Sequence, residues 1–144
     1  MSQVSIEVGA ADAGLDQRLS DELDRHNHAA VPGPTAVELT VTARRPGDGD
    51  VVGGISGWTW QEAAGIQMVW VASAHRGERL GARLLAAFEG AAAARGARRV
   101  FVTSFTFQGP GFYERCGYRE IFRWDGVPVE GEADVHLRKD LAVG

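Results

Sequence analysis

Six consecutive residues, Arg76-Gly77-Glu78-Arg79-Leu80-Gly81, set glycines among arginines just ahead of a long stretch of helical period. A strand that runs into a glycine-containing loop and then a helix is a place for a phosphate. The first helical turn leaves backbone N–H groups without partners, and the helix dipole favours negative charge there. Gly77 and Gly81 let the backbone approach a ligand closely, and Arg76, Arg79 and Arg83 add positive charge. On spacing alone a plain strand-to-helix connector fits equally well. The loop is not a mononucleotide P-loop, since no Gly-Lys-Ser/Thr follows, and it carries no Gly-x-Gly-x-x-Gly dinucleotide pattern.

A second group of residues lies some thirty positions later, in Thr106-Phe107-Gln108-Gly109-Pro110-Gly111-Phe112-Tyr113-Glu114-Arg115-Cys116-Gly117-Tyr118. A tyrosine here offers a phenol, with an ordinary pKa near 10, as a proton donor to a leaving group of comparable basicity. Aromatics at such positions also serve simply as core. Cys116 reads as a small buried hydrophobe, because no histidine stands near it in sequence to activate it. His26, His28, His75 and His136 form no ligand spacing with acids or the cysteine, so no metal site is expected.

The elements that must position these groups follow from periodicity. Residues 4–8 alternate, with Val4, Ile6 and Val8 on one face, and predict a first strand. Leu15, Leu19 and Leu23 predict an amphipathic helix over 15–28, broken by Val31-Pro32-Gly33-Pro34. Strands follow at 37–42, 51–60 and 66–71. Leu80, Leu84, Phe88 and Ala91 then mark a helix over 79–95 that Gly96 ends. A strand over 99–106, a short helix over 109–116 and strands over 118–124 and 133–139 complete the order β-α-β-β-β-α-β-α-β-β. Early hairpins and a late strand-helix-strand crossover imply a mixed sheet with helices on its faces, an α/β (α+β) architecture.

With both motifs in place, the stretch Val71-Ala72-Ser73-Ala74-His75-Arg76-Gly77-Glu78-Arg79-Leu80-Gly81-Ala82 resembles the acetyl-CoA-binding motif of the GNAT acetyltransferase superfamily, and Phe112-Tyr113 through Gly117-Tyr118 resembles its second signature. Arg76 and Gly81 match the first and last fixed positions of the first motif, whereas Arg79 stands where the family has glycine. The resemblance covers essentially the whole chain. It implies one N-acetyltransferase domain over residues 1–144, built on a mixed central sheet of about seven strands with a splayed strand pair. It also implies acetyl-CoA as cofactor, held by Trp70, Val71, Arg76, Gly77, Glu78, Arg79, Leu80, Gly81, Ala82, Thr106, Gly109, Phe112 and Tyr113. In the catalytic roles it implies, Tyr113 protonates the departing thiolate and the Val71 N–H donates to the thioester carbonyl. Thr106 replaces the asparagine usual in the family.

Acceptor recognition is less defined. His26, Trp58, Phe105 and Phe107 are candidates for the substrate pocket, with Trp58 and Trp60 suited equally to core or to a homodimer contact. A base for the amine could be His26, or Glu62 or Glu120 through water, or no side chain at all. The resemblance implies transfer of acetyl to a primary amine of a small molecule. A protein lysine or N-terminal acetyltransferase and a non-catalytic acyl-CoA-binding module are the competing readings.

Composition bounds these expectations. The chain has 144 residues, 44% hydrophobic and 24% charged, enough for one folded domain. A net charge of −4 argues against a nucleic-acid partner and mildly favours a cationic acceptor. A single cysteine excludes an internal disulfide. No signal-peptide pattern and no apolar run of roughly 20 residues is present, so the expected location is cytoplasmic and away from membranes.

Overall fold

Alternating apolar residues become a strand where another strand stands ready to pair with them, and six segments do so in the computed structural model, which describes residues 3–142. The chain divides into two compact units, Met1–Thr35 and Ala36–Gly144.

In the first unit, α1 spans Ala13–Ala30. Asp12 caps it, its carboxylate accepting from the Leu15 N–H at 3.0 Å, and Glu22 pairs with both Arg18 and Arg25 along its surface. The helix is therefore two residues longer at each end than its leucine spacing alone indicates. The expected strand over 4–8 is a correction: residues 3–9 have no regular structure, and Val4, Ile6 and Val8 are each at least 88% exposed. Alternation permits a strand but does not supply its partner.

The second unit holds β1 (Val37–Arg44), β2 (Val51–Trp60), β3 (Ala63–Val71), a 3-10 turn (Ser73–His75), α2 (Leu80–Ala94), β4 (Arg99–Phe105), α3 (Pro110–Arg115), β5 (Arg119–Asp125) and β6 (Ala133–Asp140). The strands form one sheet in the order β1-β2-β3-β4-β6-β5, six among the described residues where about seven were expected. All neighbours are antiparallel except β3 and β4, which the α2 crossover joins in parallel. Helix α2 packs Leu84, Leu85, Phe88 and Ala92 onto one sheet face, against Leu39, Ile55, Ile66, Val100, Val102, Val135 and Leu137. Gly57 makes this contact close: a Cβ there would stand 2.9 Å from the Phe88 ring and 2.1 Å from the Gly65 carbonyl.

Two irregularities interrupt the sheet around β3. In the β2–β3 ladder Ser56 faces Met68 but Gly57 faces Ile66, so Gln67 is an extra residue in β3, a bulge. The parallel pairing stops at the same place, just before the bulge. It runs from Ala63↔Arg99 to Ile66↔Val102 and no further, although both strands continue. The outer ends of β3 and β4 thus part into the expected splayed pair.

Candidate active site

Strand alternation aims the parted edge of β3. The Ala72 N–H donates to the Val52 carbonyl at 2.8 Å, across the β2 side. By the same alternation the N–H groups of Val69 and Val71 point away from β2, into the gap that β4 has left. The Val71 carbonyl points there too and is taken up by the Nε–H of Arg76 at 3.1 Å, which folds this side chain back over the strand end.

The loop beyond is a series of tight turns. Gly77 has φ +89°, and Arg79 has φ 60° and ψ 20°, a left-handed arginine at the N-cap of α2. A side chain held in this left-handed region, which glycine occupies without strain, costs about 1 kcal/mol. No side chain caps α2, and its first hydrogen bond runs from the Arg83 N–H to the Arg79 carbonyl at 3.1 Å. The N–H groups of Leu80, Gly81 and Ala82 therefore have no helical acceptor. Glu78 is turned aside, its carboxylate 3.1 Å from His75 Nδ1. What faces the helix end is N–H dipoles with Arg76, Arg79 and Arg83 around them, an environment for a phosphate group.

Gly81 joins this loop to the second motif. A Cβ on it would lie 3.2 Å from the Phe112 ring and 3.8 Å from Val71 Cγ2, so α2, α3 and the end of β3 meet at one point. Gly109, at φ +99°, turns the chain into α3. Tyr113 follows Phe112, buried to 8% exposure and held edge-on by Phe112 at 5.1 Å and Tyr118 at 5.8 Å. Burial, then the nearby Cys116, raises its pKa above the usual tyrosine value, so the phenol keeps its proton at neutral pH. Among the described residues its hydroxyl has no hydrogen-bond partner. Thr106 is engaged elsewhere: its hydroxyl accepts from the Ala133 N–H at 3.0 Å and bonds the Glu132 carboxylate, pinning the end of β4 to the start of β6.

The other sheet face, away from α2, carries most of the expected pocket residues. The Trp58 indole lies on Gly65, where a Cβ would be 2.3 Å from the ring. Trp70 is on this face too, 53% exposed. Phe105 stacks on Phe107 with centroids 5.4 Å apart, at the parted end of β4. His26 is exposed on α1 in the first unit. Glu62 sits at the opposite end of β3, about 27 Å along the strand from Val71, facing Arg98 and Arg99 at 3.9 and 3.8 Å. Glu120 pairs with Arg123 on β5. Neither acid is at the gap.

Sequence reasoning passed over one pair on this face. His136 Nε2 lies 3.0 Å from Asp134 Oδ2, and Phe122 stands edge-on to the imidazole at 5.4 Å. The signal was present as Asp-x-His within an alternating strand, whose intervening Val135 and Leu137 are buried under α2. Among the described residues no group of three His, Cys, Asp or Glu side chains could hold a metal ion, and no helix is long and apolar enough to cross a membrane.

Set beside known proteins, residues 38–120 match the family model described as an acetyltransferase (GNAT) domain. An acetyltransferase of Agrobacterium fabrum is 30% identical over 111 residues, 77% of this chain and 80% of that protein. The blasticidin-S acetyltransferase of Streptomyces morookaense is 39% identical over 75 residues, 49% of this chain and 53% of its own, so the match spans about half the length of that relative. A solved acetyltransferase-like protein of Agrobacterium tumefaciens superposes with TM-score 0.83 at 28% identity, covering 98% of this chain and 100% of that one. An aminoglycoside 6′-N-acetyltransferase complexed with coenzyme A shares the fold at TM-score 0.66 and 17% identity, over 92% of this chain and 94% of its own.

Proposed function

The chain belongs to the GNAT acetyltransferase family, and from that premise we propose that it transfers the acetyl group of acetyl-CoA to a primary amine of a small molecule. The observation that carries this reading is the junction of a parted strand pair with an uncapped, arginine-flanked helix end. A pyrophosphate suits the N–H groups from Glu78 to Ala82, and an extended amide-bearing arm suits the unpaired edge of β3, as an added strand would. When bound, acetyl-CoA supplies the acyl group as a thioester.

The chain's residues provide the rest. Arg76, Arg79 and Arg83 hold the phosphate charge. Val71 pairs with the arm near the loop, and the Val69 N–H, deeper in the gap, donates to the thioester carbonyl as an oxyanion-hole group. Giving the carbonyl to Val69 rather than Val71 follows from the arm, which must run inward along β3 from a pyrophosphate anchored at the loop. Tyr113 Oη gives its proton to the departing thiolate, a role that its buried, protonated state serves. The small-molecule acceptor is supported by the names of the relatives, among them acetyltransferases of blasticidin S and of aminoglycosides.

Thiol release from acetyl-CoA, measured against a panel of small primary amines including blasticidin S, an aminoglycoside and a lysine peptide, tests the proposal. Turnover of a small amine, with coenzyme A binding by calorimetry, is expected. Release with the peptide alone would make the chain a protein acetyltransferase, and binding without release for any acceptor would make it a binding module.

A further inference from the structure

On β6, Val135 and Leu137 are buried in the core that α2 covers and Ala133 is buried in the same alternation, so Asp134 and His136 point to the opposite face of the sheet. In the β4–β6 ladder His136 stands opposite Thr103. Thr103 is the first residue of β4 beyond the last parallel rung, Ile66↔Val102. His136 is therefore level with the apex of the gap in register, one strand over, its backbone about 4.8 Å from that of β4, so that a proton relay from the gap to the imidazole crosses the face of β4 at Thr103. Tyr113 belongs to the α2 side of the sheet, in the core cluster with Leu85 and Phe88. The phenol and the imidazole thus lie on opposite faces of the sheet.

The pairing of the imidazole fixes its chemistry. A carboxylate only accepts hydrogen bonds, so Asp134 Oδ2 at 3.0 Å from Nε2 places the proton on Nε2 and leaves the lone pair on Nδ1. The edge-on Phe122 ring holds the orientation, and the His136 side chain remains 36% exposed, open to an acceptor arriving on this face. The other charged groups facing it on β6 are Arg138, which is ion-paired with Asp140 at 2.9 Å, and Asp134 itself. From the flanking strands it meets Thr103 and Phe122, neither of them charged.

We infer that His136, oriented by Asp134, is the general base that takes a proton from the acceptor amine at Nδ1. This rests on the transferase reading. The nitrogen–carbon bond forms as the carbon–sulfur bond breaks; the amine's proton goes to Nδ1, and the proton on the thiol product comes from Tyr113. Asp134 is the positioning residue, stabilising the imidazolium that results.

Two measurements on the full chain decide it. Nitrogen-15 spectra of the four histidines, with the His136 signal identified by its loss in His136→Gln, should show the Nε2–H tautomer; an Nδ1–H tautomer overturns the inference. With an amine that the wild type acetylates, His136→Gln should lower kcat about 100-fold with coenzyme A affinity unchanged. Asp134→Asn should lower kcat by a smaller factor with the same affinity. An undiminished rate in His136→Gln overturns the base while leaving the transferase reading intact. Failure of the wild type to acetylate any amine, despite binding coenzyme A, overturns both.

Discussion

Arg79 holds a left-handed backbone at the mouth of α2, where glycine would sit without strain and without charge. Two effects therefore oppose one another in Arg79→Gly. Relief of the left-handed side chain stabilises the fold by about 1 kcal/mol, offset in part by the greater freedom of glycine in the unfolded chain. Loss of the guanidinium weakens attraction for a pyrophosphate. A small rise in Tm together with weaker coenzyme A binding is expected from thermal melts and calorimetry, and undiminished affinity would show that the arginine serves the loop alone. Tyr113 separates binding from chemistry more sharply. Tyr113→Phe keeps the ring contacts to Phe112 and Tyr118 and removes only the hydroxyl that carries the proton. It should lower kcat about 100-fold while leaving coenzyme A affinity as it was, and full activity would place the proton donor elsewhere.

At the scale of elements, the bulge at Gln67 stands where the β3–β4 pairing ends, and its removal is expected to leave its surroundings in place. Deleting Gln67 brings Ile66 and Met68 side by side, opposite Gly57 and Ser56, which are already neighbours on β2. Ile66 keeps its place under α2 and Met68 its place on the other face, so the sheet should stay folded. With the extra twist gone, β4 can pair further along β3 and close the gap. Circular dichroism like that of the wild type, with coenzyme A affinity at least tenfold weaker, is the expected pair of results; unchanged affinity would mean that the bulge does not hold the strands apart. The bulge also marks where sequence stops being informative. Helix α2 was legible because Leu84 and Phe88 repeat at helical spacing, and the loop because glycine and arginine carry local chemistry. The splay depends on a register between strands, which no single segment encodes. Residues 4–8 failed for the same reason, since alternation describes a face and not the strand that will pair with it. His136 was legible as a residue of an alternating strand, but its place at the apex of the gap needed the β4–β6 ladder.

For the whole molecule, the two tyrosines tie proton chemistry to stability, and they are the only two in the chain. Tyr118 is 3% exposed and donates its hydroxyl proton to Glu89 at 2.8 Å, while Lys139 bridges Glu89 to the Cys116 carbonyl. Burial first, then the Glu89 charge and the hydrogen bond to it, raise the Tyr118 pKa far above the ordinary 10.0; burial raises that of Tyr113 as well. Both groups are neutral in the fold at a pH where the unfolded chain would ionise them. The stability they contribute is present in full below pH 10 and is lost as pH climbs above it, because only the unfolded state then releases the protons. Each tyrosine removes at most about 1.4 kcal/mol per pH unit, so the two together exhaust a marginal stability of about 5–15 kcal/mol within a few units. Alkaline titration should therefore show the phenolate band of both tyrosines rising in one cooperative step, coincident with loss of circular dichroism. Below that step kcat should show no basic limb from Tyr113, since the buried phenol stays protonated wherever the chain stays folded. A phenolate band that grows while the fold persists would mean that one of the rings is open to water, and if the ring were that of Tyr113 the proton donor would fail within the working range of the enzyme.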